Sequence, residues 1–332
     1  MVSSAFSALI GQKQAVELLT QAIRRDRIAP AYLFVGPSGV GRSLAARCWI
    51  RDLFSTHLSG SDAKQAEPVD LLAKRLRQGN HPDLFWVEPT YLHQGQTISV
   101  AEAAARGIKR KAPPQIRLEQ IRAVTQFLAR RPLEAPRSIV VLEQAETMAE
   151  AAANGLLKTL EEPGQASLIL IAPAIDSLLP TLVSRCQRIP FRRLSSDAIA
   201  QVLQQTEQAE ILAHPEILEL AQGSPGAAIL HWQQFQNIPS ELLQAITHPL
   251  PSLQTALELA QQIDRELDTA AQLWLVDYLQ HCFWQQYLQG TIHQPPLQNL
   301  EKARKALLSY TQPRLVWEVT LMDILRLSCP RN

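Results

Sequence analysis

Ala31-Tyr32-Leu33-Phe34-Val35-Gly36-Pro37-Ser38-Gly39-Val40-Gly41-Arg42-Ser43 is the stretch that decides how this 332-residue chain folds. Five apolar residues closed by a glycine read as a short strand buried on both faces, as parallel strands are. Glycines then turn the chain into a helix that opens near Arg42 and carries Leu44, Ala45 and Ala46. The spacing GxxxxG, a basic residue and then serine, lying between a strand and a helix, is that of a P-loop, whose backbone N–H groups cradle phosphate at a helix N-terminus. Gly36, Gly39, Gly41, Arg42 and Ser43 are therefore the candidate nucleotide-binding residues. The loop is degenerate, because Arg42 stands where the motif has lysine and a broad planar guanidinium does not replace a compact ammonium beside the β and γ phosphates. Weak or absent ATP binding is expected; the alternative is a glycine turn with no ligand.

Outward from this loop, Leu84 to Val87, Ser138 to Leu142 and Leu168 to Ala172 are further buried-strand candidates. They alternate with helical periodicity over Gln12 to Ile23, Leu118 to Ala129 and Ala149 to Leu160, which predicts a parallel α/β sheet. From about Arg193 strand signals cease. Ser195 to Leu203 and Pro215 to Ala221 read as short helices punctuated by Gly223 to Gly226, and beyond Pro239 apolar residues recur every three or four positions, with breaks near acidic turn residues. The expected organisation is an α/β P-loop domain over 1–190, a small helical domain over 191–236 and an all-helical domain over 237–332. Residues 56–80 and 91–115 are polar and weakly periodic, and read as extended loop and linker inside the first domain.

Composition excludes several function classes. Lys plus Arg total 32 against 31 Asp plus Glu, so net charge is +1 and does not by itself draw the protein to nucleic acid or anionic membrane. Cys48, Cys186, Cys282 and Cys329 are too scattered for a zinc pattern or a secreted disulfide framework, and fit reduced thiols in a cytoplasm. No apolar run approaches the roughly 20 residues of a membrane span, and the first residues lack the basic and apolar regions of a signal peptide, so a cytoplasmic location is expected. The histidines show no metal-binding spacing. Arg106, Lys109, Arg110, Lys111 and Arg117 form the densest basic stretch, readable as a solvated loop or as a salt-sensitive contact to DNA phosphates.

Ser138-Ile139-Val140-Val141-Leu142 runs into Glu143-Gln144-Ala145-Glu146, an apolar strand ending in acids after the P-loop. This is the order of a Walker B element, in which Glu143 is the candidate magnesium-holding carboxylate. Gln144 stands where the water-activating carboxylate is expected, and an amide is no general base. Glu146 reads equally well as a surface residue after a core strand.

Ala153-Asn154-Gly155-Leu156-Leu157-Lys158-Thr159-Leu160-Glu161-Glu162-Pro163, with Ser184-Arg185-Cys186 downstream, strongly resembles the bacterial clamp-loader ATPase family. The resemblance extends to Phe6–Gln14, to His81-Pro82-Asp83, to Ile116–Arg122 and to Gly223–Ala228. It implies a AAA+-like P-loop domain, a helical lid and a helical collar that forms a ring with tau/gamma and delta subunits. It also implies loading of a sliding clamp on primed DNA. In that family the arginine of the Ser-Arg-Cys triplet reaches the nucleotide site of the adjacent subunit, so Arg185 is the candidate arginine finger; the alternative is that it simply pairs with a carboxylate at the domain edge. Cys186 reads as a small buried residue.

Departures from the family pattern carry as much information. Ala172-Pro173 stands where a Thr or Asn usually ends the strand, and Ala227 where an arginine usually follows the GSPG turn. Together with Arg42 and Gln144 they imply a subunit that donates a finger without hydrolysing ATP itself. The alternatives are an active tau/gamma-type ATPase and a passive scaffold of the same ring. The four-cysteine zinc module common in the family is absent, since residues 49–80 contain no cysteine, and no zinc is expected.

Overall fold

The computed structural model describes residues 4–58, 69–108, 112–161, 164–309 and 311–328. Lys109, Arg110, Lys111, Glu162, Pro163 and Cys329 lie outside the described residues. The chain divides into two compact units, 1–202 and 203–332.

The first unit is built on a five-stranded parallel sheet. Its strands are β1 (Ala31–Val35), β2 (Leu84–Val87), β5 (Ser138–Leu142), β6 (Ala166–Ala172) and β7 (Gln187–Pro190), in the order β2-β5-β6-β1-β7. β6 is buried along all seven residues, with β5 on one side and β1 on the other. That double burial is why Ala166–Ala172 is uninterruptedly apolar. Ala31 and Leu33 face a core completed by Ile121, Val124, Ala152, Leu156 and Leu160 from the helices Leu118–Leu128 and Glu150–Glu161. On Tyr32, the opposite face, Trp49 of the helix Arg42–Leu58 packs edge-on at 5.1 Å, and its indole N–H reaches the Leu19 carbonyl of the helix Lys13–Arg24.

Two segments read as extended loop are partly regular. Val69–Gln78 is a helix that buries Leu72, Ala73 and Leu76, an i, i+1, i+4 set hidden among polar residues; residues 59–68 lie outside the described residues. In 91–115, β3 (Thr90–His93) and β4 (Gln96–Ser99) form an antiparallel hairpin. Its two-residue turn, Gln94-Gly95, has φ of +50° and +80°, the positive pair a tight hairpin requires. Ser99 then caps the helix Val100–Ala105 by accepting the Glu102 N–H. A Ser-x-x-Glu cap and a Gln-Gly turn were the available signals. Strand β7 was also not anticipated, because only Ile189 of its four residues is buried.

His81-Pro82-Asp83 is a structural device. The Asp83 carboxylate accepts the backbone N–H groups of Leu133, Glu134 and Ala135, each at 2.7 Å, while its own N–H donates to His81 Nδ1. This anchors the loop that leads into β5.

The second unit is entirely helical among the described residues, with helices Pro215–Ala221, Pro225–Asn237, Ser240–Thr247, Leu253–Glu266, Thr269–Leu288, Leu297–Leu308 and Pro313–Ser328. The break expected near acidic turn residues falls at Asp268, which caps the next helix through the Ala271 N–H. Apart from residues 191–202, the expected 191–236 and 237–332 segments lie within this one unit. The long helix Thr269–Leu288 reaches both: Trp274 donates to His231, and Gln285 donates to Glu219. At its start, buried Gln272 donates to the Leu267 carbonyl and accepts the Trp317 indole N–H.

His231 takes the Trp274 N–H on Nδ1 at 2.9 Å, which requires a neutral ring, and burial holds its pKa below the ordinary value. The unfolded chain therefore binds the extra proton first, and stability is lost as pH falls from about 6.5 through the folded pKa. The urea midpoint of the helical unit should drop between pH 7 and 5, and His231→Gln should weaken that dependence; equal pH slopes in both proteins would show that His231 is not its source.

Candidate nucleotide site and trans-acting arginine

The sheet order places the ends of β1 and β5 on either side of β6, so the loop after β1 meets the acids after β5. Ser43 Oγ donates to Glu143 Oε1 at 2.7 Å. The structure thus brings together the P-loop serine and the candidate metal-holding carboxylate, 100 residues apart in sequence. Burial raises the Glu143 pKa, while the Ser43 hydrogen bond and the Arg42 charge oppose that rise. Glu146 is raised in the same way, and its Oε2 is buried without a hydrogen-bond partner among the described residues.

Arg42 is 7% exposed and turns back into its own loop, donating to Ser38 Oγ at 3.3 Å. Burial lowers its pKa, and the charges of Glu143 and Glu146 oppose that fall. Its Nη1 remains buried and unpaired among the described residues. That orphaned donor is the feature compatible with an anion at the loop.

The glycines have separate tasks. Gly36 passes so close to the chain after β7 that a Cβ there would lie 2.3 Å from the Phe191 carbonyl oxygen. Gly39 and Gly41 have φ of +77° and +99°. Gln12, unread as a site residue in the sequence, secures the loop from behind: its amide donates to the carbonyls of Val40 and Arg192 and accepts the Arg192 N–H at 3.1 Å. It is 4% exposed, and its place inside the family-like stretch Phe6–Gln14 was its sequence signal.

At the other candidate positions, Gln144 follows β5 in a left-handed conformation, φ +50°, and its carbonyl accepts the Thr147 hydroxyl. Pro173 directly follows β6. Ala227 lies in the second unit, where its N–H is taken by Ser224, so Gly223-Ser224-Pro225-Gly226 serves as a helix-opening cap.

Arg185 sits in the turn between the short helix Pro180–Val183 and β7. Its Nη2 donates to Glu161 Oε1 at 2.8 Å and its Nη1 to the Thr181 carbonyl at 3.0 Å. The pair is exposed, with 38% of the arginine and 52% of the glutamate side chain open to solvent. The domain-edge carboxylate of the alternative reading is thus Glu161, and the pairing leaves the finger role untouched. Burial pushes the neighbouring Cys186 thiol up to about 11, leaving it protonated and unreactive at neutral pH. Of the basic stretch, Arg106 is paired with Glu102 in the described residues, and Arg117 opens the helix Leu118–Leu128 with a partly buried side chain. No helix among the described residues is long and apolar enough to cross a membrane.

A parallel sheet with a P-loop after β1 and acids after β5, one strand apart across β6, together with an all-helical unit, fits the AAA+ class of P-loop protein. The fold resembles a DNA polymerase III gamma-subunit-related protein of Thermotoga maritima, with TM-score 0.51 and 16% identity over 93% of this chain and 99% of that one. The family described as "DNA polymerase III, delta subunit" matches residues 11–195, and "Cyanobacterial DNA polymerase III delta prime, C-terminal domain" matches 197–324. The chain belongs to the DNA polymerase III delta-prime family of clamp-loader subunits. It is 32% identical to the delta-prime subunit of Pseudomonas aeruginosa over 74% of this chain and 68% of that protein. It is 34% identical to the delta-prime subunit of Bacillus subtilis over 57% of this chain, spanning half of that relative's length. The tau subunit of B. subtilis is 26% identical over 62% of this chain and 32% of its own length.

Gly36→Ala should destabilise the α/β unit by at least about 2 kcal/mol, because the added methyl meets backbone rather than a movable side chain. Urea unfolding measures this; a loss below about 0.5 kcal/mol would mean that the Phe191 segment moves aside freely.

Proposed function

We propose that this chain is the non-hydrolysing stator of a bacterial clamp loader, which braces the delta subunit and completes the ATP site of a neighbouring tau/gamma-type subunit with Arg185. In this role it helps place a sliding clamp on primed DNA. The observation that carries the reading is the contrast between its two sites. Arg42 is buried and turned back onto Ser38 of its own loop, whereas Arg185 is presented in an exposed turn. A guanidinium donates several hydrogen bonds to the charge that develops on a transferred γ-phosphoryl, and supplying it in trans makes hydrolysis depend on assembly.

The chain's own catalytic output is negligible. Arg42 stands where the motif has lysine, Gln144 has no proton-accepting carboxylate, and Pro173 and Ala227 offer no side-chain donor to a γ-phosphate. ATP binding is weak or absent and no zinc is held; the site is cytoplasmic. The 191–236 segment acts as the lid and 237–332 as the collar through which the ring assembles. The tau similarity favours one rival, an active ATPase of tau/gamma type. Isolated turnover that rises on Gln144→Glu would support that rival.

Two measurements separate these readings. In a reconstituted loader, Arg185→Ala should remove roughly three orders of magnitude from the rate of the site it serves, so DNA-stimulated ATP turnover falls by that site's whole share. Unchanged turnover with assembly intact by size exclusion would make the chain a passive scaffold. For the isolated chain, Arg42→Lys should tighten binding of a fluorescent ATP analogue by roughly tenfold or more, since a flexible ammonium frees the loop interior; wild-type binding as tight as that of the variant would contradict the weak-binding reading.

A further inference from the structure

We propose that Glu161 is the positioning residue for Arg185, holding its guanidinium in the orientation in which it is presented to the neighbouring site. The proposal rests on the trans-donation reading and deepens it. Glu161 closes the helix Glu150–Glu161, whose Ala152, Ala153, Leu156 and Leu160 are buried against the sheet, so its backbone is fixed. Arg185 leaves a turn anchored by buried Leu182 and Val183, with its own N–H bonded to the Leu182 carbonyl at 3.2 Å. Two rigid supports therefore meet through a single pair of flexible side chains.

The bond geometry divides the guanidinium. Nη1 is occupied by its own turn, at the Thr181 carbonyl and Ser184 hydroxyl, and Nη2 by Glu161 at 2.8 Å. An arginine held at both terminal nitrogens has far fewer rotamers than a free one. The step that brings it to a phosphoryl oxygen then loses less side-chain freedom.

Two features argue that the pair serves orientation rather than stability. Both partners are substantially exposed, and such ion pairs contribute little to folding. An acid in the last turn also opposes the helix macrodipole, so Glu161 is poorly placed for its own helix. The same exposure leaves the pair weak enough for phosphate to share the arginine. Glu161 touches neither nucleotide nor reacting atoms in this scheme.

The test is a loader whose other ATP sites are silenced by P-loop lysine substitutions, so that turnover reads the site facing Arg185, with equal assembly checked by size exclusion. Glu161→Gln should lower kcat roughly two- to fivefold with KM for ATP changed less than about twofold. Glu161→Asp should recover part of the loss, because the carboxylate is restored. Combined with Arg185→Ala, Glu161→Gln should add nothing, since a positioning residue has no effect once its arginine is gone. Unchanged or faster turnover in Glu161→Gln, with Arg185→Ala impaired, would overturn the positioning role; faster turnover would mean that Glu161 restrains the finger. A further loss in the double variant would overturn it as well, by showing an independent effect. If Arg185→Ala alone leaves turnover unchanged, donation in trans fails first and the role of Glu161 falls with it.

Discussion

β6 has no exposed residue, and every backbone polar group along a dry strand must find its partner in the sheet. β5 and β1 satisfy that requirement from opposite sides, and the rest of the first unit follows from it. Because all three strands run parallel, their C-terminal ends emerge together, so the P-loop, the acids after β5 and Pro173 share one edge. The Ser43 to Glu143 hydrogen bond is the local outcome of that long-range pairing. β7 extends the sheet beyond β1, bringing Phe191 against Gly36 and Arg192 against Gln12. The loop is therefore held from both sides by segments remote in sequence.

Burial raises the pKa of Glu143 and Glu146 and lowers that of Arg42, while the charges of the arginine and the acids oppose those shifts. A nucleotide and its metal would have to displace or reorganise that arrangement, which is the physical content of the proposed loss of ATPase function. Arg185 is opposite in character. Its guanidinium is held by the Glu161 carboxylate and by its own turn, yet it stays considerably exposed, as the proposed donation to another subunit's anion needs. The proposed role depends on this asymmetry between an inward and an outward arginine.

The helical unit is organised by side-chain hydrogen bonds at aromatic positions. Trp274 to His231 and Trp317 to Gln272 each satisfy an indole N–H that packing would otherwise bury unpaired. Trp274 to His231 ties the helix Pro225–Asn237 to the helix Thr269–Leu288, so a break in sequence character at 236 does not become a break in packing.

Much of this protein was determined by local sequence. Ala31–Ser43 specifies strand, phosphate-type loop and helix, because a short apolar run and glycines at turning positions leave few other conformations. The apolar runs of β5 and β6 and the periodicity of the helices follow in the same way, as do the substitutions at Arg42, Gln144, Pro173 and Ala227. Where local pattern was weak, only tertiary structure decided. β7 is one case: an edge strand with one buried residue has no hydrophobic signature and exists because β1 offers it a partner. The helix Val69–Gln78 is another, its apolar residues masked by charged neighbours. That Gln12 clamps the loop and that Glu161 is the acid paired with Arg185 were likewise left to the fold, since each is a contact between segments whose proximity is set by strand order and not by any spacing along the chain.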